Sequence, residues 1–89
     1  MYSRTGTIVN ETGLHARPAS DFIKAANRFK AKIKIRRKEV PTDVNAKSIV
    51  SLLTLGLEKG AEVVISAEGE DETQAVNSLF DLIETGLKE

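Results

Sequence analysis

Residues 31–36 read AKIKIR, where apolar and charged side chains alternate without a break. A period of two puts Ala31, Ile33 and Ile35 on one face and Lys32, Lys34 and Arg36 on the other. That pattern predicts a strand buried on one side and wet on the other. Such a strand belongs in an antiparallel sheet with one solvated face, and the dry face then needs a second layer.

Helical stripes supply that layer. Between residues 16 and 29 the apolar positions are Ala16, Ala19, Phe22, Ile23, Ala26 and Phe29, with Lys24 and Arg28 off the stripe. Helical spacing predicts a helix there, and Pro18 fits its first turn, where a missing N–H costs nothing. Residues 47–55 (KSIVSLLTL) predict a short helix with Ile49, Leu52 and Leu53 on one side, ended by Gly56. A last helix is expected from about Asp71, where Asp71 and Gln74 resemble a variant capping box. Its stripe is Val76, Leu79, Phe80, Ile83 and Leu87.

Further strands are expected at residues 2–9, at Val40–Val44 and at residues 61–67, with Val63, Ile65 and Ala67 inward. Pro41 argues that the Val40–Val44 strand lies at a sheet edge. RRKE and Lys59-Gly60 read as turns. The predicted order is βαββαβα, an α+β fold with a four-stranded antiparallel sheet covered on one face by three helices.

No repeat or linker interrupts the pattern, so residues 1–89 are expected to form one domain. The absence of cysteine excludes disulfides, thiolate metal sites and thiol catalysis, and suits a reducing compartment. The opening MYSRTGTIV lacks an apolar signal-peptide core, and no apolar run is long enough to cross a bilayer. The expected home is the cytoplasm, without membrane insertion. Net charge is zero, yet residues 1–47 carry 11 Lys/Arg against 4 Asp/Glu, whereas residues 48–89 carry 2 against 9. A basic surface facing an acidic partner is one consequence of that asymmetry.

The only histidine stands in GLHARPAS, residues 13–20. Gly13 lets the chain turn sharply, and His15 then reaches the entrance of the first helix, where N–H groups lack intrahelical partners. Arg17 brings a guanidinium to the same place. Unpartnered amides, the positive end of a helix and an arginine together describe an anion site. A charge-assisted hydrogen bond contributes about 1.5–3 kcal/mol and a helix terminus about 0.3–1 kcal/mol, so arginine and amides dominate. The positive surroundings disfavour imidazolium and leave a neutral, nucleophilic ring suited to accepting a phosphoryl group. One histidine without cysteine is too little for a metal site, and no cofactor is expected.

GLHARPAS resembles the active-site signature of the HPr family, the histidine-containing phosphocarriers of the bacterial phosphoenolpyruvate-dependent sugar phosphotransferase system. NAKSIVSLLTLGLEKG is similar to the family's second signature, and ISAEGEDE with its following helix to the C-terminal section. The resemblance implies the family's open-faced β-sandwich, which agrees with the order read above. It also implies that His15 accepts the phosphoryl group through Nδ1, steadied by the Arg17 guanidinium and the backbone N–H groups of Ala16 and Arg17. Enzyme I is the implied donor and sugar-specific IIA domains the implied acceptors, with the protein a carrier that does not turn over substrate.

Ser48 reads as a helix N-cap. In the family the matching serine is a regulatory site for HPr kinase/phosphorylase in many Gram-positive lineages. Leu52 reads as core, whereas Ile49, Val50 and Leu53 are expected to dock partners beside Lys24 and Arg17. The chain is expected to be a monomer. RRKEVPTD is about two residues longer than the usual family hairpin, and Asn27 stands where some members carry a basic residue.

Two rivals follow. A nitrogen-branch or regulatory paralogue keeps the histidine with other partners, but LTLGLEKG looks more like the sugar branch. A nucleic-acid-binding module would use the basic run from Lys30 to Lys38, yet AKIKIR has no aromatic platform for stacking bases.

Overall fold

The computed structural model describes residues 1–14 and 16–85. Four strands and three helices follow in the order β1 (Tyr2–Thr7), α1 (Ala16–Ala26), β2 (Lys32–Arg37), β3 (Val44–Asn45), α2 (Ile49–Leu53), β4 (Glu62–Glu68) and α3 (Glu72–Glu84). The strands form one antiparallel sheet of order β1-β4-β2-β3. This is the α+β open-faced sandwich that the patterning predicts.

The two periods explain why. In β2 and β4, Ile33, Ile35, Val63, Ile65 and Ala67 are buried, while Lys32, Lys34, Glu62 and Glu68 are exposed. Register sets Ile35 beside Ile65 and Ile33 beside Ala67, so the dry residues form one continuous face. Helical stripes close over it: Ala19, Phe22 and Ala26 from α1, Leu52 from α2, and Ala75, Val76, Leu79 and Ile83 from α3. Burying a side chain such as Phe22 contributes about 1.5–3 kcal/mol.

Four local expectations are corrected. The strand expected at Val40–Val44 is only Val44–Asn45; it does lie at the sheet edge, but residues 38–43 form a loop instead. Arg36 organises that loop, its Nη1 donating to the carbonyls of Arg37, Lys38 and Val40 at 3.2, 2.9 and 3.2 Å. Helix α1 stops at Ala26, before Phe29, and Asn27 Nδ2 donates to the carbonyl of Ile23 at 3.0 Å. Asp71 stands before α3 but makes no capping bond with its side chain. Its carboxylate accepts the backbone N–H groups of Lys30 and Ala31 instead, both at 2.9 Å. Finally, α2 spans five residues, Ile49–Leu53, and not residues 47–55; within it Leu52 is buried and Ile49 and Leu53 are exposed, as read above. Leu87 lies outside the described residues.

Candidate functional site

The chain approaches α1 through a tightly held loop. Gly13 adopts φ +68°, the left-handed region in which a side chain is strained. A Cβ there would fall on the Leu57 carbonyl oxygen and within 2.7 Å of the Glu58 Cα. Asn10 closes the turn from both sides: its carbonyl accepts the Gly13 N–H at 3.1 Å, and its side-chain Nδ2 donates to the Gly13 carbonyl at 2.5 Å. Leu14 is buried in the core, and its N–H donates to the Leu57 carbonyl at 2.9 Å. An exposed ion pair, Lys59 Nζ to Glu11 Oε1 at 2.6 Å, joins the same two loops.

His15 lies outside the described residues. Helix α1 begins immediately after it, at Ala16, with Arg17 exposed and Pro18 buried in the first turn. The first N–H groups of a helix have no carbonyl four residues earlier to bond, and Pro18 contributes none. Exposed Lys24 falls in the last turn, where a cation complements the helix dipole.

Helix α2 packs against α1. Ser48 is its N-cap, with extended backbone angles and an Oγ that accepts the Ser51 N–H at 3.3 Å. Ile49, Val50 and Leu53 are 39%, 70% and 44% exposed, whereas Leu52 is wholly buried. One short helix therefore carries a single anchor and three uncovered apolar side chains. Arg37, at the end of β2, holds the other end of α2. Its Nε donates to the Leu55 carbonyl at 2.9 Å and its Nη2 to the Gly56 carbonyl at 2.5 Å.

Arg17, Lys24 and the exposed residues of α2 thus belong to two adjoining helices, as the sequence suggests. Asn10, Leu57 and Arg37 escaped the sequence reading. The spacing Asn10-x-x-Gly13 was the available signal, since Asn readily bonds backbone groups within a turn. Nothing local marked Leu57 or Arg37, whose partners are distant in sequence. Among the described residues no three His, Cys, Asp or Glu side chains gather as a metal site. No helix there is long and apolar enough to cross a membrane.

A family model described as "PTS HPr component phosphorylation site" matches residues 2–85. The chain belongs to the HPr family. Phosphocarrier protein HPr of Haemophilus influenzae is 44% identical over 85 residues, covering 96% of this chain and 98% of that protein. Among solved structures, HPr-C-His from Thermoanaerobacter tengcongensis superposes with a TM-score of 0.93 at 44% identity, covering 100% of this chain and 98% of that one. HPr from Bacillus anthracis gives 0.86 at 34% identity, covering 92% and 95%. HPr proteins are phosphocarriers of the phosphotransferase system, and the family match spans both sequence signatures read above.

Proposed function

We propose that this chain carries a phosphoryl group on His15 between enzyme I and the IIA domains of sugar permeases. The observation that carries the reading is the HPr family match across residues 2–85, which includes GLHARPAS. In the transfer, the Nδ1 lone pair of His15 forms the new P–N bond as the donor's bond to phosphorus breaks. The donor keeps that electron pair. Phosphoryl transfer depends mainly on in-line positioning and neutralisation of the equatorial oxygens. Arg17 supplies the charge, and the backbone N–H groups of Ala16 and Arg17 supply directed donors at the helix start.

The exposed Ile49, Val50 and Leu53, with Lys24 on the adjoining helix, form the docking surface for enzyme I and IIA domains. Uncovered apolar side chains on a five-residue helix, next to a basic one, support that assignment. Ser48 is the regulatory phosphorylation site, for a kinase of the HPr kinase/phosphorylase type. A phosphate there sits at a helix start, where it is tolerated, and adds about two negative charges to the docking surface. The protein works as a cytoplasmic monomer, one domain over residues 1–89.

The test is incubation with enzyme I, Mg²⁺ and labelled phosphoenolpyruvate, comparing wild type with His15→Ala. Acid-labile label on wild type alone is the expected result. Label on neither protein, or equally on both, removes the proposal.

A further inference from the structure

A cleft of about 280 Å³ opens at the sheet edge, beside the point where the chain leaves β3 after Asn45. Lys30, Lys32, Lys34, Asn45 and Lys47 line it, together with Ala31 and Ile33, whose side chains are buried. Lys32 and Lys34 come from the solvated face of β2, and Lys30 and Lys47 from the flanking turns.

Four lysine side chains line one concavity, and like charges so grouped repel one another and need a reason. Internal pairing does not supply one. Lys30, Lys32 and Lys34 form no ion pair among the described residues. Glu68 is the register partner of Lys32 without bridging it. Asp71 faces Lys47, but both of its oxygens accept backbone N–H groups, from Lys30 and Ala31. Only Lys47 has a structural bond, from Nζ to the Phe29 carbonyl at 2.6 Å. Lysines on an exposed strand do keep other chains from pairing with it. That account does not reach Lys30 or Lys47, which lie outside the strands. Asn45 adds a neutral donor: its Oδ1 accepts the Lys47 N–H at 2.9 Å, leaving its NH₂ available.

We infer that this cleft binds a small organic polyanion whose two phosphate or carboxylate groups stand about 7 Å apart, the spacing of Lys32 and Lys34 along one strand face. The cleft sits at the small end of ligand pockets, and it offers no aromatic side chain for stacking a base. Both points favour a small anion over nucleic acid. The inference is independent of the chemistry proposed for His15.

Titration of the isotopically labelled full chain with glycerate bisphosphate, followed by amide chemical shifts, tests it. Saturable shifts confined to residues 30–34 and 45–47 are expected, with inorganic phosphate binding about tenfold or more weakly because it engages fewer charge-assisted bonds. Lys34→Glu and Lys38→Glu change net charge equally, but only the first touches the cleft. Lys34→Glu should weaken binding about tenfold or more, Lys34→Gln should weaken it less, and Lys38→Glu should leave it within about twofold. Equal losses in the Lys34→Glu and Lys38→Glu variants, shifts centred elsewhere, or no saturation would overturn the inference. So would tighter binding of single-stranded RNA with shifts running on to Arg36 and Lys38.

Discussion

Asp71 and Ala31 stand 40 residues apart in sequence, yet the carboxylate of the first accepts the backbone N–H of the second at 2.9 Å. The same carboxylate takes the Lys30 N–H, so the start of α3 is fastened to the start of β2. The Lys30 bond is the main reason the Asp71 carboxyl titrates below its usual range; partial burial opposes it, and the Ala31 bond and the Lys47 charge add to it. Glu72 is lowered as well, chiefly by the Gly69 N–H and then by the Met1 amino group.

A pH dependence follows. Both carboxyls release protons more readily folded than unfolded, so their contribution to stability is full above about pH 5 and is lost as pH falls through the lowered folded values. Thermal melts should therefore show a falling Tm below about pH 4. Asp71→Ala should lower Tm at neutral pH and flatten that acid slope. An unchanged slope in the variant would refute the assignment.

Gly13 and Gly60 separate strain from collision. Both have positive φ, +68° and +92°, but a Cβ at Gly13 meets Leu57 and Glu58 backbone while one at Gly60 meets nothing. Gly60→Ala should cost about 1–2 kcal/mol, the left-handed penalty alone. Gly13→Ala should cost more, read by urea denaturation. Similar costs would mean that the loop relaxes around the new methyl group.

Neighbouring leucines in α2 should behave oppositely. Leu52→Ala removes a wholly buried side chain and is expected to cost about 2–5 kcal/mol. Leu53→Ala, at an exposed position, should change stability by less than about 0.5 kcal/mol while slowing phosphotransfer from enzyme I. Normal transfer rates for Leu53→Ala and Val50→Ala would remove α2 from the docking surface.

Ser48 joins stability to the proposed regulation. Ser48→Ala should destabilise by about 1 kcal/mol through loss of the bond to the Ser51 N–H. Ser48→Asp keeps an acceptor there and should hold stability nearly constant while slowing transfer with enzyme I. Equal transfer rates for wild type and Ser48→Asp would contradict the regulatory role.

Where one residue's environment repeats along the chain, the sequence was readable. The unbroken alternation of residues 31–36 and the helical spacing of Phe22, Ala26, Val76, Leu79 and Ile83 follow from burial on one side, and the fold obeys them. GLHARPAS and NAKSIV made the family legible for the same local reason. Failures occurred where a side-chain hydrogen bond, distant or local, displaced the role that the pattern suggested. Asp71 looked like a cap, but the amides of Lys30 and Ala31 occupy its carboxylate. Val40–Val44 looked like a strand, but Arg36 gathers the carbonyls of Arg37, Lys38 and Val40, and the chain runs as a loop up to Val44. Helix α2 was readable: Leu52 is its core residue, and Ile49 and Leu53 stay exposed.

The strand order bears on biosynthesis. β1 lies next to β4, and β4 separates it from β2, so no two strands on that side of the sheet are joined by a tight hairpin. A nascent chain can build α1 and the β2–β3 pair early, but its first strand has no neighbour until residues 62–68 have left the ribosome. Completion of the sheet must therefore wait for β4, and until then the apolar side of β2 is an invitation to chaperones.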